Sequence, residues 1–158
     1  MNLTDIVVQE SIVPNLQSTE RDEVLTHLVD RLIEAGAADA SIKGELIERL
    51  LERERKGSTG FGRGVAVPHV KHKKITRMAA AIGLSEHGIE FNALDKQPVF
   101  SVVLLLSPED KPEEHLQAME AIFKNLSKDT FRRFLRQAGS VEDVTTLLDE
   151  ADHQKLGG

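Results

Sequence analysis

Apolar residues recur at helical spacing in several stretches of the chain, with strand-like runs between them. Val24, Leu25, Leu28, Leu32 and Ile33 repeat with a period near that of an α-helix after Ser18 and Thr19, which predicts a helix over about 20–35 closed by Gly36. Ile42, Leu46, Ile47, Leu50 and Leu51 predict a second, begun by Asp39 and Ser41 and stopped at Gly57. Four β-like runs follow: 65–67, 78–84, a short one around Ile89 and Phe91, and 100–106. The last is almost uniformly apolar, as in a strand covered on both faces. Pro112 suits the first turn of a third helix, on which Leu116, Met119, Ile122, Phe123 and Leu126 share a face. Phe131, Phe134 and Leu135 mark a fourth helix ended by Gly139. Ser140 with Asp143 starts a fifth, carrying Val144, Leu147 and Leu148.

Helices before and after a set of strands predict an α/β fold: a single layered domain over residues 1–150, with 151–158 as a frayed C-terminal tail. No internal repeat or low-complexity linker divides it. A chain of 158 residues can bury roughly 70% of its unfolded surface, enough for one core. With no cysteine, a disulfide framework, a thiolate zinc site and a cysteine nucleophile are all excluded. The start of the chain lacks a basic-then-apolar leader, and the longest apolar run is too short to cross a bilayer. A soluble, cytoplasmic protein without membrane insertion is expected.

The net charge of −6 argues against nucleic acid as a partner, because such binding draws on many lysine and arginine contacts to phosphate. Tyrosine and tryptophan, on which bases could stack, are absent. The charges are unevenly placed, however. Between Glu54 and Glu86 there is no acidic residue, while Arg55, Lys56, Arg63, Lys71, Lys73, Lys74 and Arg77 are basic. Such a segment favours an anion or an acidic partner over an evenly solvated face.

The same segment contains "GSTGFGRGVAVPHVKHKK", residues 57–74, a glycine-rich loop leading to a histidine. Gly57 and Gly62 have the outer spacing of a P-loop, but Arg63 and Gly64 stand where lysine and serine or threonine would be needed. The order helix, loop, strand is also reversed, and Gly60, Gly62 and Gly64 do not follow the dinucleotide-binding spacing. Gly60 and Gly62 can still turn backbone N–H groups toward one anion, with the Ser58 and Thr59 hydroxyls beside them. A phosphoryl group held there needs an acceptor, and His69 is the near candidate, since imidazole is a good nucleophile near neutral pH. Pro68 restricts Val67 to extended backbone and so fixes how the ring is delivered. From the residues alone, a structural histidine remains an equal alternative.

The segment "GSTGFGRGVAVPH" resembles the active-site signature of the mannitol/fructose-type enzyme IIA domains of the bacterial phosphotransferase system, with Phe61 and Arg63 as mild departures. Similarity extends from about Leu3 to Asp149 through "LLERERKGSTG", "IEFNALDKQPVFSVVLLLSPED" and "EEHLQAM". The resemblance implies a mixed β-sheet flanked by helices and a phosphoryl group accepted on His69 from a histidine-containing phosphocarrier protein. It also implies Arg53, with Arg55 as a weaker alternative, and His115 as further active-site residues, and no metal or other cofactor. The downstream partner would be a IIB domain in a transport subunit or a regulatory target protein in the nitrogen-related branch. The serine of "GSTGFG", the "NALDKQPV" block and the free-standing length favour the regulatory branch.

Two readings of other classes compete. His69, His72 and His115 could form a three-histidine metal site for hydrolysis, although no carboxylate of the acid-free segment would support it and its basic charges would repel a cation. A binding module whose histidine has lost its chemistry is the other. His72, among lysines, is expected to face water. His27, His87 and His153 read as helix-boundary, turn and tail positions.

Overall fold

The computed structural model describes residues 1–153 and has three layers, helices on both faces of a six-stranded mixed sheet. The chain begins with a one-turn helix α1 (Leu3–Ile6) and strand β1 (Val7–Val13), followed by α2 (Arg21–Glu34) and α3 (Lys43–Lys56). Then come β2 (Gly60–Gly62), β3 (Val65–Ala66), β4 (His69–His72), β5 (Ala79–Ile89) and β6 (Val99–Pro108). Three helices close the chain: α4 (Pro112–Leu126), α5 (Asp129–Gln137) and α6 (Val141–Asp152). The order across the sheet is β1-β5-β6-β3-β2, with β4 also paired to β6. Contacts β1–β5, β3–β6 and β4–β6 are parallel, while β5–β6 and β2–β3 are antiparallel.

Strand alternation divides the core. Val102, Leu104 and Leu106 of β6, Ala79 and Ala81 of β5 and Val70 of β4 face Leu25, Leu28, Leu32, Leu46 and Leu50 of α2 and α3. Val103, Leu105, Ala80 and Ile82 face the other way, onto Ala118, Ile122 and Leu126 of α4, Phe131 and Leu135 of α5 and Val144 and Leu148 of α6. Both faces of β6 are covered, as its apolar run predicts. Burying each large side chain fully contributes about 1.5–3 kcal/mol before the entropy of ordering it. Among the described residues no helix is long and apolar enough to cross a membrane.

The predicted helices all form, but four features differ from the sequence reading. β1 was not expected: polar Gln9 and Glu10 interrupt its apolar pattern, and its register on β5 shifts between Val7 and Ile12. The runs at 78–84 and Ile89 are one strand, β5, carried past exposed Glu86 and His87 by a second register shift; Phe91 lies beyond it. β2 and β4 are short strands that pairing creates where the sequence shows loop residues.

The expected tail begins too early. α6 continues through Asp152, and His153 Nδ1 donates to the Asp149 carbonyl at 2.8 Å; residues 154–158 lie outside the described part. Asp152 ties the ends of the chain together, accepting from Leu3 N at 2.7 Å, Thr4 N at 3.0 Å and Thr4 Oγ1 at 2.6 Å. Asp152→Ala removes three hydrogen bonds to a charged acceptor and is expected to cost about 1–3 kcal/mol. Urea unfolding measures this, and an unchanged midpoint would show that the N-terminal turn contributes nothing.

Candidate active site

β3 and β4 run one after the other along the same edge of β6, separated only by Val67 and Pro68. His69 opens β4, opposite Leu105 of β6, and is half-buried. Its Nδ1 lies 2.9 Å from the Val67 carbonyl. A carbonyl can only accept, so Nδ1 carries the proton and Nε2 keeps its lone pair. Of the two ring nitrogens, Nε2 is therefore the one with a lone pair to offer.

His115 comes from the first turn of α4, and its ring centroid lies 5.6 Å from that of His69 with the planes inclined by 50°. It is 6% exposed. Burial, followed by the nearby Lys71 charge and the mutual repulsion two imidazoliums would feel at His69 and His115, pushes its pKa down to about 4, so the ring is neutral at pH 7. Its Nδ1 is 2.7 Å from the hydroxyl of Ser107, a fully buried residue near the end of β6 whose side chain has no other partner among the described residues. The Ser107 proton therefore goes to Nδ1, which leaves His115 Nε2 as an N–H donor. Ser107 was missed in the sequence, where its only signal is a hydroxyl ending an apolar strand.

Because the fold holds His115 below the ordinary histidine pKa of about 6.5, its contribution to stability is complete above that pH and is lost as pH falls toward about 4. A loss on the order of 1–2 kcal/mol by pH 5 is expected, relative to pH 7. Urea unfolding at both pH values should show a smaller loss in His115→Gln. Equal losses in the two proteins would assign the pH dependence to other groups.

The glycine loop is held differently from an open anion cradle. Glu54, 4% exposed on the last turn of α3, accepts from Thr59 N at 3.1 Å and Thr59 Oγ1 at 3.1 Å, so both Thr59 donors are already used. Ser58 Oγ donates to the Phe91 carbonyl at 3.1 Å and accepts from Gly60 N at 3.0 Å. Thr59 O in turn accepts from Val67 N at 3.1 Å, directly beside the carbonyl that orients His69. The loop thus acts through the backbone that positions the ring. Gly60 is required for close approach, since a Cβ there would lie 3.0 Å from the Ala93 Cβ. Gly62 at φ +115° makes the β2–β3 turn, and Arg63, at φ 60°, is held there as its N–H donates to Asp95 at 3.1 Å.

Arg53 is exposed on the last turn of α3, with Nη1 donating to the Gly57 carbonyl at 2.5 Å. Among the described residues no hydrogen bond joins it to either histidine. The weaker alternative, Arg55, is exposed on the same turn. One helical turn earlier, Arg49 donates to the Lys71 carbonyl at 2.7 Å and fastens α3 to β4.

His72 corrects the expectation of a solvent-facing ring. It is 1% exposed, because alternation along β4 turns Val70 and His72 toward α3 and leaves His69 and Lys71 on the opposite face. Its Nε2 donates to Glu45 of α3 and its Nδ1 accepts from Lys74 N at 3.0 Å. With both ring nitrogens engaged on the other face, His72 cannot complete a metal triad with His69 and His115. Among the described residues no group of three or more histidine, aspartate or glutamate side chains is placed to hold a metal ion. The carboxylates that serve the acid-free segment, Glu45, Glu54 and Asp95, come from outside it.

An imidazole with its Nε2 lone pair free at the edge of a mixed sheet, its centroid 5.6 Å from that of a buried neutral imidazole, has the chemistry needed to carry a phosphoryl group on histidine. The chain belongs to the family described as "Phosphoenolpyruvate-dependent sugar phosphotransferase system, EIIA 2", whose model matches residues 5–151. Domains of this family are phosphotransferases that carry the group on histidine. The chain is 33% identical over 150 residues to a nitrogen regulatory protein of Bradyrhizobium diazoefficiens, covering 94% of this chain and 95% of the relative. It is 31% identical to the fructose-specific EIIA component of Haloferax volcanii, covering 95% and 98%. It spans only 24% of the fructose-specific EIIABC component of Bacillus subtilis. The crystal structure of the nitrogen regulatory protein IIA-Ntr of Neisseria meningitidis superposes with a TM-score of 0.82 at 28% identity, covering 91% of this chain and 97% of that one. The fold is also that of enzyme IIAMTL of Escherichia coli in its complex with phosphorylated enzyme IIBMTL, with a TM-score of 0.75 at 20% identity, covering 89% and 94%.

Proposed function

We propose that His69 Nε2 accepts a phosphoryl group from a histidine-containing phosphocarrier protein in the cytoplasm, and that the chain acts as a regulatory, nitrogen-type IIA. The observation that carries this is the bond from His69 Nδ1–H to the Val67 carbonyl, which reserves the Nε2 lone pair for phosphorus. That lone pair forms the new P–N bond while the bond to the donor histidine breaks, its electron pair returning to the donor ring. His69 then holds both the phosphoryl group and its Nδ1 proton, so the ring becomes cationic and the carbonyl bond becomes charge-assisted.

The transition state is loose and spreads charge over three oxygens, so catalysis consists of positioning and donors. The His115 Nε2–H supplies one donor, and the Arg53 guanidinium, exposed at the end of α3 with N–H groups beyond the one bound to Gly57, supplies a forked cation to the transferring group. Lys71 lies on the same face of β4 as His69 and balances the added charge. Ser58, Thr59, Gly60 and Gly62 act as the scaffold of the loop.

The regulatory role is supported by the serine of the loop and by similarity over nearly full length to nitrogen regulatory proteins. The second reading, a fructose-type transport subunit passing the group to a IIB domain, is supported by the fructose-specific EIIA relative of equal length. A pull-down from the source cell, with the chain phosphorylated or not, separates them. A target retained in only one state is expected, and capture of a IIB domain alone would favour transport.

A further inference from the structure

A second basic site lies away from the paired histidines, in a cleft of about 520 Å³ between the β2–β3 turn and α5. Four arginines line it, Arg63 from the turn and Arg132, Arg133 and Arg136 from α5, against a single lining carboxylate, Asp129; Arg132 also donates through Nη1 to the Leu126 carbonyl at 2.8 Å. Asp129 is 3.5 Å from Arg132 and 3.7 Å from Arg133, with its side chain 81% exposed. Among the described residues neither the Arg63 nor the Arg136 guanidinium is paired with a carboxylate, although the Arg63 backbone N–H donates to that of Asp95. Four arginines against one aspartate give the lining a net charge of +3 in a chain whose net charge is −6, so the cleft runs against the character of the whole chain.

Its central group is built into the fold. The Arg136 guanidinium lies 3.5 Å from the centroid of the Phe100 ring. That ring is seated against two glycines, Gly64 at φ +78° and Gly88 at φ +95°, where an added Cβ would come within 3.3 Å of it in each case. A guanidinium stacked on a ring keeps its in-plane N–H groups free to grip an anion. The backbone that carries Arg63 is fixed as well: its N–H is bound to Asp95, and the next carbonyl, Gly64 O, accepts from Phe100 N at 2.8 Å and Ser101 N at 3.1 Å. The turn is thereby clamped to the strand that carries Phe100.

We propose that this cleft binds the phosphate group of a small phosphorylated metabolite. Planar, paired N–H donors match phosphate oxygens better than a lysine point charge would. The volume exceeds that of a bare phosphate and lies in the range of small-molecule sites, so it admits the body of the ligand too. Arg63 and His69 lie on one short stretch of chain, and an occupant would bear on the strand that delivers the acceptor.

The test is a titration of the full chain with inorganic phosphate, pyrophosphate and a hexose monophosphate at constant ionic strength, read by amide chemical shifts. Shifts are expected at 63–65 and 129–137, and Arg63→Gln/Arg136→Gln should weaken binding at least tenfold with the rest of the spectrum unchanged. Arg21→Gln and His69→Ala should bind as wild type does. The proposal is overturned if none of the three probes shifts the cleft, as for a surface that meets only an acidic protein. It is equally overturned if shifts centre on His69 and His115, or if Arg21→Gln weakens binding as much as the double variant.

Discussion

His69→Ala is expected to take up no label when incubated with enzyme I, a histidine-containing phosphocarrier and labelled phosphoenolpyruvate, while the wild type gains an acid-labile, base-stable label. The loss should be complete, because no other histidine offers a free nitrogen in the same place. His72 has both ring nitrogens bound, one to Glu45 and one to Lys74 N, and lies on the opposite face of β4. His115 presents Nε2 as a donor, since Nδ1 takes the Ser107 proton, and so has no lone pair aimed at the incoming phosphorus. His69 is half-buried on an edge strand, so truncation leaves the apolar core intact and the variant should unfold near the wild-type urea midpoint. Label retained by folded His69→Ala would move the acceptor elsewhere.

The helices were legible in the sequence because each has one apolar face against a single layer, and that requirement leaves a period near 3.6. β6 was legible for the opposite reason: Val102 to Leu106 are covered on both sides and admit no polar residue. β1, β2 and β4 were not, since their strand character comes from partners distant in sequence. β4 is four residues long and contains two histidines and a lysine; only pairing with Leu105–Pro108 makes it a strand. The site divides in the same way. The stretch from Gly57 to His69 marks a candidate acceptor through its local pattern. What the pattern hides is the use of each donor: the Glu54 carboxylate takes both Thr59 donors, and Ser107, near the end of β6, sets the tautomer of a histidine on the next helix. Hydrogen bonds between elements leave no periodicity to read. The alternation that sends His72 away from His69 could have been read at once, had residues 69–72 been recognised as extended.

His115→Ala is expected to slow phosphoryl exchange by on the order of tenfold to a thousandfold, the cost of one lost transition-state donor. The effect should appear in rate rather than in the amount of His69 finally labelled, because the Nε2 nucleophile is untouched. If His115 acts through its Nε2–H, Ser107 is a positioning residue whose value depends on His115. Without the Ser107 hydroxyl, Nδ1 can carry the proton, and the neutral ring can then present a lone pair toward the phosphoryl oxygens, which repels them. Ser107→Ala should therefore slow exchange by a large part of the His115→Ala factor. The double variant should be no slower than His115→Ala alone, since the hydroxyl has nothing left to orient. A purely structural Ser107 would behave otherwise: its effect would follow the loss of stability and would add to that of His115→Ala. The pH profile provides a second reading. With the His115 pKa at about 4, the ring stays neutral across pH 6 to 8, and the ratio of wild-type to His115→Ala rates should be flat over that interval. A ratio that rises steadily toward pH 6 would mean that a protonated His115 is the donor, and the tautomer argument would fail with it.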